Sequence, residues 1–375
     1  MRILHTSDWH LGRQFHNVSL IDEQRKALEE IIEYIMHHDV DVLVIAGDIY
    51  DRSVPPTSAV ELMNNFVNRV CGELNLPVIM IPGNHDGAER LGFGSLQMKS
   101  AGLHILSSFE SMLEPITLES RAGKFDFYGI PYSDPEVVRH RFNQPVSTHD
   151  EAHELLAKCI KERFRPNHRN ILICHCFVDG AMESASERPL SIGGVDRVSH
   201  EHFSDFDYVA LGHLHQPQMK GKEYIRYSGS LMKYSFSEQH HRKGMTLVEF
   251  DERGQPLIEH INLTAARDMR IIEGEMEQIL ADGKADPLNE DFLLIRLMDQ
   301  HAILNPMEKL RAVYPNVLHL EKPGMLIGVE QSMADAKLSR SELDMFKDFF
   351  TEAQGCSLSE EQGSAISNII DQLNR

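Results

Sequence analysis

Several features are scarce or missing in this 375-residue chain, and each absence removes a class of protein. Cysteine is rare: Cys71, Cys159, Cys174, Cys176 and Cys356, at no regular spacing. An odd count, with no secretory leader pattern in MRILHTSDWH, argues against a disulfide framework and for a reducing cytoplasm. Cys174 and Cys176 flank His175, and they read as small residues on a buried strand rather than as a metal knuckle. No apolar run approaches the roughly 18 residues of a membrane span. Positive charge is short: 37 Lys and Arg stand against 57 Asp and Glu, a net charge of −20. That argues against a protein that coats DNA by bulk electrostatics. It does not exclude a nuclease, because metal ions or a basic partner can supply local positive charge. The basic clusters that exist, Arg163, Arg165 and Arg169, and the run His240-His241-Arg242-Lys243, read as solvated faces. No G-x-x-x-x-G-K-[ST] loop is found, so any ATP dependence must come from another chain. There is no internal repeat and no low-complexity segment.

What is present is an ordinary globular composition, 42% hydrophobic and 25% charged, on a chain longer than one core usually serves. From Met1 to about Leu263 short apolar runs alternate with amphipathic segments, the pattern of an α/β layered domain. Strands are predicted at Arg2–Thr6, Asp41–Ala46, Pro77–Ile81, Lys124–Ile130, Ile171–Cys174 and Asp207–Leu211, and helices at Ile21–His37 and Ser58–Glu73. After Gly221, EYIRYSGS, GMTLVEF and PLIEHINL suggest antiparallel strands closing a second sheet. The domain reading is 1–264, then 265–329, then 330–375. In the second, RIIEGEM, DFLLIRLMD and NVLHLEK read as strands around a short helix begun by Asn305 and Pro306. In the third, capping-box patterns at Ser339/Glu342 and Ser359/Gln362 open two amphipathic helices. Their apolar residues are Leu343, Phe346, Phe349 and Phe350, then Ile366, Ile369, Ile370 and Leu373. Helices this short cannot bury such faces alone, and a partner protein is the expected cover. The helical pattern still runs at Arg375 without a C-cap signal, so a shortened chain is expected.

The chemistry lies where the apolar runs end. RILHTSDWH finishes in Asp8 and His10, DVLVIAGDIYD in Asp48 and Asp51, VIMIPGNHDG in Asn84, His85 and Asp86. ILICHC carries His175, and DYVALGHLH ends in His213 and His215. Carboxyl ends of strands in open α/β sheets converge on one crevice. The spacing therefore predicts one cluster of Asp8, His10, Asp48, Asn84, His175, His213 and His215. D-x-H and H-x-H would place paired side chains on one side of an extended segment. Carboxylate, amide and imidazole donors without thiolate suit manganese, iron or zinc better than a structural cysteine site. The set exceeds the needs of one ion, and two ions bridged by Asp48 fit it. An isolated D-x-H is weak evidence, but five such endings in one chain are not coincidence.

DWH, GDIYD, GNHD, the strand-end His175 and GHLH resemble the motif series of the calcineurin-like metallophosphoesterases. SDWHLG, GDIYDRSVPP, PGNHD, ALGHLHQPQ and YSGSLMKYSFSE narrow the resemblance to the bacterial nuclease subunits that serve a coiled-coil ATPase. The resemblance implies a two-sheet sandwich flanked by helices, a small α+β capping domain and a C-terminal two-helix segment that grips the ATPase. It implies that Asp8, His10, Asp48 and His215 hold one ion, most often manganese, and Asp48, Asn84, His175 and His213 the other. His85 would contact the scissile phosphate and assist the leaving oxygen. Many phosphatases of the superfamily have an Asp at the place of Asp51, so a dyad of Asp51 with His85 is expected. The resemblance further implies a homodimer, and cleavage of DNA ends, hairpins and blocked ends in repair, recombination and replication; the apolar stripe of Ser58–Glu73 either contributes to the dimer or covers the sheet. The alternative is a phosphatase or phosphodiesterase for small phosphoesters. Arg52 is followed by Ser53 where serine/threonine protein phosphatases usually have Arg-Gly, and the added domains fit a nuclease better.

Overall fold

A computed structural model describes residues 1–187, 196–324, 343, 346–347, 349–350 and 358–373. The short Val/Ile/Leu runs become strands because such residues pack well on both faces of a sheet. β1 (Arg2–Thr6), β2 (Val42–Ala46), β3 (Val78–Ile81) and β4 (Leu103–Ile105) lie parallel, side by side. β5 (Ile116–Ser120) then forms an antiparallel hairpin with β6 (Gly123–Ile130), and β7 (His168–His175) and β8 (Tyr208–Gly212) continue that second sheet in parallel. β9 (Gln218–Lys220) and β10 (Lys222–Tyr227) complete it in the order β9-β10-β8-β7-β6-β5. β11 (Gly244–Phe250) and β12 (Pro256–Asn262) return to the first sheet, whose order is β12-β11-β1-β2-β3-β4.

That return corrects the expectation for the segment after Gly221. β11 and β12 are antiparallel, but they widen the first sheet beside β1, with Leu4 opposite Leu247. β10, in contrast, pairs parallel with β8. The open edge of β1 would otherwise present unpaired backbone groups, and β11 satisfies them.

Alternation along each strand sorts side chains into layers. Val42, Val44 and Ala46 of β2 meet Phe127, Ile171 and Ala210 between the two sheets. Leu43 and Ile45 face outward, under α1 (Ile21–His37) and α2 (Thr57–Val67), against Leu28, Ile31, Leu62 and Phe66. On the opposite side Leu172 and Val209 pack with Leu156 and Ile160 of α3 (His149–Lys161). Each fully buried aliphatic or aromatic side chain contributes about 1.5–3 kcal/mol, so the layering, helix–sheet–sheet–helix, fixes the register of every strand. The helix expected over Ser58–Glu73 is α-helical to Val67 and widens to π-helical turns over Asn68–Glu73.

Met1–Arg270 is one compact unit and Ile271–Arg375 a second. The small sheet that follows has the order β13 (Met269–Gly274), β14 (Phe292–Leu297), β15 (Val317–Glu321). Helices α4 (Met276–Gly283) and α5 (Pro306–Arg311) supply Ile279 and Leu310 to a core with Leu293, Ile295 and Val317. In the tail, α6 (Glu360–Leu373) has the expected capping box: Gln362 N–H donates to Ser359 Oγ at 3.2 Å, and Ser359 N–H to Gln362 Oε1 at 3.0 Å. Leu343, Phe346, Phe349 and Phe350 are helical, while Ser339 and Glu342 lie outside the described residues. No described helix is long and apolar enough to cross a membrane.

Candidate metal centre

The crevice beyond the carboxyl ends of β1, β2, β3, β7 and β8 gathers all the expected ligands. Asp8, His10, Asp48, His175, His213 and His215 are buried, and Asn84 is half-buried. The pleat is not what pairs Asp8 with His10. β1 has ended at Thr6, and the two residues take left-handed φ values of 54° and 46°. Asp48 at 51° and His213 at 99° also have positive φ. Such conformations are uncommon outside glycine and cost about 1–3 kcal/mol each, so the surroundings must hold them. Adjacent loops do so: Asp8 N–H donates to Gly47 O at 3.1 Å and His10 N–H to Asp48 O at 2.9 Å. Two glycines allow the close approach. A Cβ on Gly83 would strike the Asp48 carboxylate and backbone nitrogen, and one on Gly212 would strike the Ala46 carbonyl and the His175 ring.

Asp48 sits at the centre. Its Oδ2 lies 3.5 Å from His175 Nε2, 3.7 Å from His10 Nε2 and 4.0 Å from His85 Nε2. On one side His10 Nε2 faces His215 Nε2 at 3.0 Å, with Asp8 beside them. On the other, Asn84 Oδ1 lies 3.0 Å from His175 Nε2 and 3.2 Å from His213 Nδ1. Asp8 also adjoins the Asp48–His175 group.

Burial pushes Asp8 up to about 6, against the nearby His175 and His215. Burial acts the same way on Asp48, but His175 and His10 outweigh it and hold that carboxyl well below its usual range. For His175 burial opposes the proton, yet Asp48 wins and raises it to about 9. Burial drives His10 and His213 well below the usual imidazole value. Behind the site, Asp86 accepts N–H bonds from Gly83, Ile49 and Tyr50 at 2.9–3.0 Å, tying the β2 and β3 loops together. Burial and the Asp48 charge push it up to about 7 against those bonds.

His85 stands at the mouth, 12% exposed, where the histidines and carboxylates of the cluster behind it are almost wholly covered. Its Nδ1–H donates to Asp51 at 2.8 Å, but to the backbone carbonyl. The expected carboxylate–imidazole dyad is therefore replaced by a main-chain anchor that leaves Nε2 pointing into the crevice, 4.0 Å from the Asp48 carboxylate. The Asp51 carboxylate instead takes Arg13 at 3.1 Å and lies 3.8 Å from His10 Nδ1.

Sequence reasoning missed the groups behind His215. Ser186 Oγ lies 2.6 Å from His215 Nδ1, and Glu238 Oε1 bonds to Ser186 and lies 3.4 Å from the same nitrogen. Lys243, read as part of a solvated face, is buried and pairs with Glu238 at 2.5 Å. Lys243 Nζ also donates to the His215 carbonyl at 2.7 Å, and His215 N–H to Glu187 at 2.8 Å. The available signal was YSGSLMKYSFSE, which ends on Glu238.

The residues fit a pair of dications. Two buried carboxylates, an amide oxygen and four imidazoles converge: His10 Nε2 faces His215 Nε2, and His175 Nε2 and His213 Nδ1 both lie against Asn84 Oδ1. His10 Nδ1 is buried with no hydrogen-bond partner among the described residues. Oxygen and imidazole donors without thiolate suit manganese, iron or zinc.

The calcineurin-like phosphoesterase family model matches residues 1–217. A second, described as the type 5 capsule protein repressor C-terminal domain, matches residues 265–354. The SbcD subunit of the nuclease SbcCD from Staphylococcus saprophyticus is 34% identical over 378 residues, covering 100% of this chain and 98% of that protein. Among solved structures, TT1561 of Thermus thermophilus is 14% identical over 70% of this chain and 98% of that one, with a TM-score of 0.37. A dimetal phosphatase from Danio rerio is 11% identical over 69% of this chain and 98% of that one, with a TM-score of 0.40.

Proposed function

The chain belongs to the calcineurin-like phosphoesterases and, within them, to the SbcD subunits of the SbcCD nucleases, and from that membership we propose that it is a two-metal-dependent DNA nuclease. The reading covers endonuclease and 3′–5′ exonuclease cleavage of ends, hairpins and blocked ends, in DNA repair, recombination and replication. The observation that carries it is an undiminished donor set around Asp48, with His85 Nε2 at the mouth 4.0 Å from the Asp48 carboxylate.

Asp8, His10, Asp48 and His215 would hold one ion, and Asp48, Asn84, His175 and His213 the other, with manganese preferred. Such a pair supplies Lewis acidity toward a phosphate oxygen and a water acidic enough to attack near neutral pH. The chain's own groups set the geometry. His175 donates its Nδ1–H to the Ala46 carbonyl at 2.8 Å, which fixes the tautomer and aims Nε2 into the crevice. Ser186 and Glu238 hold His215 in the same sense. His85, anchored on the Asp51 carbonyl, presents Nε2 to the phosphate and, when protonated, donates to the departing sugar oxygen.

In this reading an SbcC-type coiled-coil ATPase is the partner, bound through the C-terminal helices, where Phe349 and Ile369 are exposed. The complex works in the cytoplasm on the nucleoid. A homodimer is supported by an apolar groove of about 600 Å3 along α2, lined by Val60, Met63, Val67, Leu91, Phe93 and Met98. Removing residues after Gly328 should abolish ATPase binding and spare partner-free cleavage; binding by the shortened chain would refute the assignment of the tail.

The test of the activity uses the purified chain with manganese, circular single-stranded or hairpin DNA, and a simple phosphomonoester. DNA cleavage that is lost on removing manganese and in His85→Gln, with little monoesterase activity, is expected. Strong hydrolysis of the phosphomonoester with the DNA left uncut would establish the small-phosphoester alternative.

A further inference from the structure

His175 sends its ring toward Asp48 and Asn84 at the end of β7. Pleating turns its neighbours Cys174 and Cys176 to the opposite face, where both are buried in the core that includes α3. Their Sγ atoms are 3.6 Å apart. His153, on α3 and also buried, faces them. His153 Nδ1–H donates to the His149 carbonyl at 2.7 Å, one turn earlier on the helix. That bond occupies Nδ1, so Nε2 is the nitrogen available to an ion. One nitrogen and two sulfurs thus come from two elements, with all three ligand atoms within 4.8 Å of one another.

The sulfur–sulfur separation matches a coordination sphere. Two thiolates bound to one ion at about 2.3 Å lie about 3.8 Å apart at the tetrahedral angle. The observed 3.6 Å requires an adjustment of tenths of an ångström. Two thiolates balance the charge of a dication, and a neutral cluster is the form an apolar interior tolerates. Sulfur selects soft ions and gives little to manganese or magnesium. We propose that Cys174, Cys176 and His153 form a separate site for a soft divalent ion of the zinc class, on the face of β7 opposite the catalytic crevice. Binding releases the thiol protons, and the depth of the site means that the ion is taken up as the domain folds or opens locally. An ion there would clamp the end of β7 to α3, and so anchor the strand that carries His175.

The test uses the full chain, reduced and stripped with a chelator, then refilled with manganese so that the crevice is occupied. Cadmium is titrated in, and the thiolate-to-cadmium charge-transfer absorption is read in the ultraviolet. The crevice holds no thiolate, so the outcome is independent of the nuclease assignment. The band should saturate at about one equivalent and persist when Cys71, Cys159 and Cys356 are all replaced by Ala. It should vanish in Cys174→Ala/Cys176→Ala, and His153→Gln should weaken the affinity by about 10–100-fold. No band in the native chain, or loss of the band when only the other three cysteines are replaced, would overturn the proposal.

Discussion

The two sheets deliver their candidate ligands to the crevice by different means. The first sends Asp8, His10, Asp48 and Asn84 out on loops, and the main chain holds them: three of the four stand at positive φ, locked by backbone bonds between loops. The second places His175 as the last residue of β7 and His213 and His215 just after β8, His213 also at positive φ with its N–H on the Asp8 carboxylate. Here side chains and single carbonyls hold the rings: Ala46 behind His175, and Ser186, Glu238 and Lys243 behind His215. The difference teaches where fragility lies. On the first side, changing a ligand removes a donor and leaves the loop in place. On the second, a residue outside the donor set can misplace one within it.

The largest effect is expected at Asp48, where the two sides join. Asp48→Asn keeps an oxygen for the His85 N–H, which now donates to Asp48 Oδ1 at 2.8 Å, but removes the central charge. Cleavage should fall by about 10³-fold or more, with manganese stoichiometry by calorimetry reduced from two. Retention of both ions at native affinity would separate the two halves of the site. Next is Glu238→Gln, which strands the buried Lys243 charge and should destabilise the fold by about 3–5 kcal/mol in urea unfolding. Adding Lys243→Met should restore most of that stability. It should not restore ion affinity, which is expected to stay about 10–100-fold down because His215 has lost its support. Recovery of affinity by the double variant would mean that the second sheet, too, is held by its backbone.

The legibility of the two sides differs in the same way. Strand-end ligands could be read because an apolar run that stops at Asp or His has few other meanings, and because the runs point to one edge. The partners behind His215 could not. Ser186 and Glu238 lie 29 and 23 residues from it, and Ser, Glu and Lys in loops are ordinary solvated residues until the fold encloses them. The left-handed backbone at Asp8 and His10 was also hidden, since D-x-H is equally compatible with a pleated strand. The layered sandwich was visible in the alternation of apolar runs. The return of β11 to pair with β1 was not, because antiparallel pairing fixes neither which sheet a strand joins nor at which edge.

A link between the sheets themselves gives a smaller effect, set by pH. His5 of β1 reaches Tyr208 Oη of β8 at 2.9 Å across the interior. Burial, with Arg226 adding to it, lowers His5 to about 3 from 6.5. A base depressed in the folded state adds stability above its unfolded value, and that stability drains away as pH falls from about 6.5 toward 3. In metal-free protein His5→Gln should reduce the loss of unfolding free energy between pH 6.5 and 4.5 by about 2–3 kcal/mol. An unchanged slope in urea titrations would show that His5 takes up its proton without opening the sheets.

The smallest effect is expected at Asp51, and it is the sharpest test of the backbone-held side. The carboxylate makes an ion pair with Arg13, both side chains partly exposed at 25% and 18%, and such pairs contribute about 1 kcal/mol or less. His85 takes the Asp51 carbonyl, which every substitution except a change of backbone retains. Asp51→Asn should therefore leave both ions bound and lower kcat by less than about tenfold, a barrier change below about 1.4 kcal/mol. His85→Gln removes the group itself and should fall much further. If Asp51→Asn instead matches His85→Gln while metal stoichiometry stays at two, the carboxylate orients His85 during turnover. The loop after β2 must then rearrange when substrate binds, and the main chain would no longer be what holds the first sheet's side of the site.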